Sequence, residues 1–270
     1  MLDLATMQVA GRTLTVDRVL KKAARVGIVS AETAVRAVLL RRVDGQPVPP
    51  PKLAYDVVGG FMPGTGIVRY LVGGREAADM IRALLLRNDR TMDGAVLDFG
   101  CGSGRVIRHF RGHPGEFVGS DYNPELIGWC QRNLKGFTFD LNQLDPPLHY
   151  RDGRFALVYA LSVFTHLDSP RQLAWMRELA RVTADDGLII ATTHGTRFWT
   201  NLSLEERERF NAGETIVVGP ATKVGSNNYG THQSEGNFRA LVADVGLTVV
   251  DYLPWGAFGL GGQDLWLLRR

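Results

Sequence analysis

The run Val96-Leu97-Asp98-Phe99-Gly100-Cys101-Gly102-Ser103-Gly104-Arg105 limits the fold of this chain more than any other, because a short apolar strand breaks there into three glycines spaced two apart. Glycine admits positive φ and lets a ligand approach the backbone, so such a run marks a parallel strand turning under a bound molecule toward a helix. The same alternation continues on both sides. Apolar runs of strand length occupy residues 95–99, 116–120, 137–140, 155–160 and 188–192. Helical signals lie between them: a start at Val106, Ile107 and Phe110, and Asn123-Pro124-Glu125 with its cap, N1 proline and first-turn acid. Strands alternating with helices predict a parallel sheet covered on both faces. After a helix capped by Ser234, stopped at Gly246 and apolar along Phe238, Leu241, Val242 and Val245, the pattern changes. Residues 247–253 and 264–268 are strand-like and joined without a helix, so they are expected to pair antiparallel.

Upstream, residues 72–86 place Ala77, Met80, Ile81, Leu84 and Leu85 on one helical face, a helix expected to cover a sheet edge or the mouth of a site. Residues 1–52 carry nine bases (Arg12, Arg18, Lys21, Lys22, Arg25, Arg36, Arg41, Arg42, Lys52) against four acids (Asp3, Asp17, Glu32, Asp44), while the whole chain is only +3. Helices are expected over 16–25 and 31–42, the second capped by Ser30, and Gln46-Pro47-Val48-Pro49-Pro50-Pro51 reads as a stiff connector. The chain is therefore divided into a helical arm with its connector, 1–65, and a main domain, 66–270. A solvated face explains the basic run better than a polyanion partner, so nucleic acid is not the expected ligand, and the arm is a candidate homodimer surface. Two cysteines, Cys101 and Cys130, cannot build a disulfide framework. No apolar run nears the roughly 20 residues of a membrane helix, and no signal-peptide pattern opens the chain, so the expected location is cytoplasmic.

The dinucleotide fingerprint G-x-G-x-x-G requires a third glycine where this chain has Arg105, which argues against nicotinamide or flavin. Asp121, ending the second strand, is placed to accept from both hydroxyls of a ribose, and Asp98 can orient the loop or meet an ammonium through water. Two acids around a glycine turn suit a cationic ligand without a pyrophosphate, such as S-adenosylmethionine. VLDFGCGSGR, FVGSDYNPELIGWC, PPLHYRDGRFALVYALSVFTHL and ARVTADDGLIIATTHG, in that order, resemble the motifs of class I S-adenosylmethionine-dependent methyltransferases, most closely the bacterial ones with an SVFTHL segment and a GGQDLWLLRR-like last strand. The resemblance covers about residues 66–270. It implies a Rossmann-like α/β fold whose seven-stranded sheet is mostly parallel with an antiparallel last strand. It also implies that Asp98, Gly100 and Gly104 border the methionine end, that Asp121 holds the ribose and that Tyr122 lies along the adenine. Asn142 matches the polar residue set against the adenine amino group, where an acid is commoner and Asp140 lies two residues away. Cys101, Gly102 and Leu161 complete the expected cofactor lining, the cysteine as a small side chain in a tight turn and not as a nucleophile.

Transfer to a hydroxyl needs a base within hydrogen-bond reach. His166, in Leu161-Ser162-Val163-Phe164-Thr165-His166-Leu167 after the fourth strand, is the first candidate, weighed against a histidine that merely holds backbone. His194 at the end of the fifth strand is the second, and His232, in a loop able to swing in as a lid, the third. Asp168 reads as a helix cap and Asp185-Asp186 as a surface turn, so no clear metal motif emerges, although magnesium dependence stays open. Phe198, Trp199, Tyr229, Trp255 and Phe258 fall in connections that build acceptor pockets or pack the core. The expected activity is methyl transfer to a small molecule, with oxygen of a sugar, lipid or secondary metabolite preferred. Nucleic-acid methylation and non-catalytic cofactor binding are the alternatives.

Overall fold

The structure is a computed structural model that describes residues 6–9, 12–15, 27, 41–58 and 66–270. Two compact units divide it, Met1–Tyr70 and Leu71–Arg270. In the first, β1 (Thr6–Val9) pairs antiparallel with β2 (Arg12–Thr15). A second hairpin joins β3 (Arg42–Val43) to β4 (Gln46–Pro47) through Asp44 and Gly45, both at positive φ, as an Asp-Gly hairpin turn requires. The expected helix over 16–25 lies outside the described residues. Of that over 31–42 only Arg41 and Arg42 are described, and Arg42 belongs to a strand. The proline-rich segment is not a bare connector either. Gln46 and Pro47 are in the hairpin, and Pro51 opens α1 (Pro51–Val58), where a missing N–H costs nothing. Most of the basic run, and with it the dimer surface expected on the arm, lies outside the described residues.

Helix α2 (Gly66–Arg87) starts earlier than the apolar periodicity indicates and buries Ala77, Ala78, Ile81, Leu84 and Leu85. Its Gly73 and Gly74 are poor helix formers, and packing explains them: a Cβ on Gly74 would lie 2.3 Å from the Arg105 carbonyl, and one on Gly73 3.1 Å from that of Gly259. The helix backbone thus lies directly against the exit of the glycine turn.

The main sheet is built from β5 (Val96–Phe99), β6 (Phe117–Asp121), β7 (Thr138–Leu141), β8 (Phe155–Ala160) and β9 (Thr183–Thr193), with α3 (Pro124–Asn133) before β7 and α4 (Ser169–Val182) before β9. After β9 come α5 (Leu204–Asn211), a hairpin of β10 (Ile216–Val218) and β11 (Gly230–His232), and α6 (Glu235–Asp244), before β12 (Thr248–Ala257) and β13 (Gln263–Arg269). Strand order is β12-β13-β9-β8-β5-β6-β7, and only β13 runs against its neighbours. This is the Rossmann-like methyltransferase sheet that the motifs imply. The chain leaves β5 toward β6 and β7, then returns to β8 and β9 on the other side, so the carboxyl ends of β5 and β8 flank the crevice where open α/β sheets bind ligands.

Local signals explain the helices. Asn123 caps α3 by accepting from the backbone N–H of Glu125 and Leu126, and Asp168 caps α4 by accepting from Arg171. Trp175, Met176, Leu179 and Val182 of α4 pack on Phe99, Val158, Ile189 and Trp266 of the sheet, each of the eight at most 3% exposed. Large side chains buried to that degree contribute about 1.5–3 kcal/mol apiece.

Three local expectations change. No α-helix follows the glycine turn; a single 3-10 turn, Ile107–Phe110, buries Ile107 and Phe110 before Gly112 at positive φ ends it. Asp185-Asp186-Gly187 lies inside β9, where the register against β8 shifts and Asp186 takes positive φ. His232 is not on a swinging loop: it sits in β11, paired with Ile216 and bridged to His194.

Candidate functional site

At the carboxyl end of β5 the chain turns through Gly100, Gly102 and Gly104, with φ of 76°, 57° and 74°. Side chains are excluded there twice over. A Cβ on Gly100 would stand 2.4 Å from Val163 Cγ2, and one on Gly104 2.3 Å from Leu134 Cδ1. The backbone N–H groups of Gly100 and Cys101 both donate to the Ser120 carbonyl, at 2.7 and 3.0 Å, which ties the turn to β6. Asp121, 8% exposed, finishes the cradle: Oδ2 accepts from Gly102 N–H and Oδ1 from Asn123 N–H, each at 2.9 Å. Both carboxylate oxygens keep a second lone pair. Burial raises the Asp121 carboxyl, opposed by those backbone donors.

Asp98 is 4% exposed and is faced by the fully buried hydroxyl of Tyr159 and by the Ile107 backbone. Burial pushes the Asp98 carboxyl up to about 7, with Tyr159, Arg105 and the Ile107 backbone acting in the opposite sense. A buried carboxylate is costly unless something positive or hydrogen-bonding meets it. The chemistry of this donor set fits S-adenosylmethionine: a carboxylate for its cationic end, a side-chain-free turn, and a second carboxylate with lone pairs for a ribose. Cys101 and Cys130 both direct their thiols at the Gly102 carbonyl, at 3.6 and 3.5 Å, and burial holds both thiols protonated.

Tyr122, 40% exposed, donates its hydroxyl to the Gly225 carbonyl at 2.9 Å. Asn142 Oδ1 accepts from Ser120 at 2.6 Å, and its amide nitrogen donates to the Gln143 carbonyl. Asp140 is engaged elsewhere, accepting from the Tyr150 hydroxyl at 2.8 Å. Leu161, 7% exposed, directly follows β8.

The three histidines come together. Ring centroids of His166 and His194 are 6.5 Å apart, and those of His194 and His232 4.9 Å apart. His166 Nδ1 lies 2.7 Å from the Tyr229 carbonyl; a carbonyl only accepts, so Nδ1 carries the ring proton and Nε2 of the neutral ring is bare. Burial lowers the His166 pKa, and the Tyr229 carbonyl partly restores it. His194 falls to about 3, through burial and then the neighbouring imidazoles, and His232 falls to about 4 through burial. Burial thus disfavours the charged form of all three rings, most strongly in His194 and His232.

Among the described residues no three His, Cys, Asp or Glu side chains are grouped as metal ligands. Asp168 caps its helix, while Asp185 and Asp186 pair with Arg270 and Arg90. Of the aromatic residues expected at an acceptor pocket, Phe198 packs on His194 at 4.2 Å, Tyr229 is 4% exposed, and Trp255 and Phe258 are exposed. Trp199 joins a small cluster with Leu202, Phe210 and Ile216.

Sequence reasoning missed Ser162, Thr192 and Gln263, whose side chains bond to one another beside His194. Gln263 and Asp264 are polar residues opening an otherwise apolar strand, which was the available signal.

A family model described as a methyltransferase domain matches residues 70–252. Among solved structures, the chain is similar to the 1,6-didemethyltoxoflavin-N1-methyltransferase of Burkholderia thailandensis, determined with 1,6-didemethyltoxoflavin and S-adenosylhomocysteine bound: 17% identity over 84% of this chain and 93% of that one, TM-score 0.55. It is similar to magnesium protoporphyrin IX methyltransferase of Synechocystis PCC 6803 with bound S-adenosylhomocysteine at 18% identity, over 81% and 92% of the two chains, TM-score 0.54. An S-adenosylmethionine-dependent methyltransferase of Clostridium acetobutylicum ATCC 824 matches at 10% identity, over 76% and 95%, TM-score 0.55. At these identities the likeness is one of fold. No helix among the described residues is long and apolar enough to cross a membrane.

Proposed function

This chain belongs to the methyltransferase domain family and uses S-adenosylmethionine, and from that premise we propose that it methylates a hydroxyl oxygen of a small molecule, a sugar, lipid or secondary metabolite, with His166 as the general base. One observation carries the choice of oxygen: the 2.7 Å contact of His166 Nδ1 with the Tyr229 carbonyl, which leaves Nε2 bare just beyond the carboxyl end of β8.

When bound, the cofactor supplies a methyl group already activated by its sulfonium. Asp98, Gly100, Cys101, Gly102, Gly104 and Leu161 hold its methionine end, Asp121 its ribose, and Tyr122 and the remaining lone pair of Asn142 Oδ1 its adenine. Positioning then supplies much of the acceleration. His166 Nε2 would take the acceptor's hydroxyl proton as the oxygen bonds to the methyl carbon and the carbon–sulfur bond breaks, its electron pair staying on the sulfur. The neutral state of His166, His194 and His232 matters as well, since it puts no positive charge beside a sulfonium.

The test is His166→Asn, assayed by S-adenosylhomocysteine release and by acceptor mass gain across a panel of sugars, hydroxylated lipids and phenols. Expected is a kcat loss of about 10²–10⁴-fold with cofactor affinity unchanged. Retained kcat, or a wild-type product methylated on nitrogen, refutes the reading.

A further inference from the structure

Beside His194 runs a chain of hydrogen bonds. Thr192 Oγ1 accepts from the Ser162 backbone N–H at 2.7 Å and donates to Gln263 Oε1 at 2.6 Å. This turns the Gln263 amide nitrogen the other way. It donates to Ser162 Oγ at 2.8 Å and faces His194 Nε2 at 3.4 Å. Thr165 Oγ1 lies 3.4 Å from Ser162 Oγ and donates to the Ser162 carbonyl at 3.0 Å, which closes the chain. Thr165 and Thr192 are fully buried and Gln263 is 4% exposed, and the network holds the half-buried Ser162 at a φ of 62°, a conformation that non-glycine residues keep only when their surroundings enforce it.

An amide NH₂ has no lone pair to offer, so His194 Nε2 must be the bare nitrogen and the proton of its neutral ring must sit on Nδ1. Asp264, next along β13, does not intervene, because its oxygens accept from Trp255 N–H and the Tyr252 hydroxyl. The titratable groups acting on His194 are His232 of β11 and His166 after β8, and Glu206 of α5 acts on His232. The Thr231 backbone also hydrogen-bonds the His194 ring and acts against the lowering of its pKa.

We propose that Gln263 is a positioning residue that assigns the roles of two neighbouring histidines: its amide engages the one ring lone pair of His194, so that His194 does not compete as a base and the acceptor's proton goes to His166 Nε2. This rests on the reading of His166 given above. The depressed basicity of His194 acts in the same direction.

Long-range ¹H–¹⁵N spectra of the full chain, with S-adenosylhomocysteine added, report which ring nitrogen of His194 is protonated. The wild type is expected to carry the proton on Nδ1. In Gln263→Glu a carboxylate replaces the amide donor, so the proton should move to Nε2 and the His194 pKa should rise by about 1–3 pH units. Thr192→Val removes the hydroxyl that orients the amide and should give a mixture of both ring forms, which covers a Gln263→Glu protein that does not fold. A wild-type His194 protonated on Nε2, or a proton site unchanged in the variants that fold, overturns the proposal. These spectra do not depend on the acceptor. The expected ring forms together with an active His166→Asn enzyme would fault only the assignment of the base.

Discussion

Replacing Asp98 by Asn is expected to stabilise the cofactor-free protein, by an amount that grows with pH. Burial holds this carboxyl at about 7 in the fold against 3.8 in an open chain. Between those values the unfolded chain gives up its proton and the folded chain keeps it, so each pH unit costs the fold about 1.4 kcal/mol. The stability that the protonated carboxyl preserves is fully present below the open-chain value and is lost as pH rises through the folded one. The loss amounts to about 2 kcal/mol at pH 5 and levels off at about 4 kcal/mol above neutrality. Asparagine carries no such charge. From pH 5 to pH 8 the wild type should therefore lose about 2–3 kcal/mol more than Asp98→Asn, or roughly 5–10 °C in Tm at 2–4 °C per kcal/mol. Thermal melts of both proteins at the two pH values, without cofactor, measure this directly. Saturating S-adenosylmethionine should narrow the gap, because it binds the folded wild type with the carboxylate ionised. Parallel pH profiles for the two proteins, or a variant destabilised equally at both pH values, would refute the reasoning that Asp98 is a buried acid held in reserve for a cationic ligand.

Asp121→Ala should weaken S-adenosylhomocysteine binding by at least 10²-fold in calorimetry, since ribose hydrogen bonds to a charged group contribute about 1.5–3 kcal/mol each; affinity within a few-fold of wild type would place the ribose elsewhere. Gly100→Ala should cost about 1–2 kcal/mol for its left-handed backbone alone, and more because its Cβ would stand 2.4 Å from Val163 Cγ2, readable as a lower urea midpoint. Gly74→Ala sets two effects against each other: helix propensity favours alanine by about 1 kcal/mol, whereas a Cβ 2.3 Å from the Arg105 carbonyl forces the helix away from the glycine turn. Backbone contact should win, and a variant with raised Tm would show that the helix can shift without cost.

The elements that local chemistry dictates were legible in the sequence. The strands at β5, β6, β7 and β8 fall within a residue or two of their apolar runs, and Asn123, Asp168 and Ser234 cap the helices they precede, because an apolar run or a capping side chain acts on its own neighbours. Elements that depend on distant partners were not legible. The hairpin of β10 and β11 has too few residues to carry a periodicity of its own; it exists because Ile216 packs with Leu202 and Phe210 and because Thr231 donates to the Leu167 carbonyl. Gly73 and Gly74 owe their place in α2 to the Gly259 and Arg105 carbonyls set against them.

For the site, the sequence by itself determined the candidate cradle: three glycines in a strand-to-turn junction and an acid at the end of the next strand, all within about one supersecondary unit, where order along the chain and order in space coincide. What only the tertiary structure decided is the surroundings of the three histidines. His166, His194 and His232 are residues of one type, and no pattern along the chain distinguishes a base from a spectator. The Tyr229 carbonyl, 63 residues from His166, fixes its ring proton, and the Gln263 amide, 69 residues from His194, lies 3.4 Å from Nε2 of that ring. A histidine's role depends on which nitrogen is bare and how much water surrounds it, and both are properties of neighbours that only the closed sheet brings into contact.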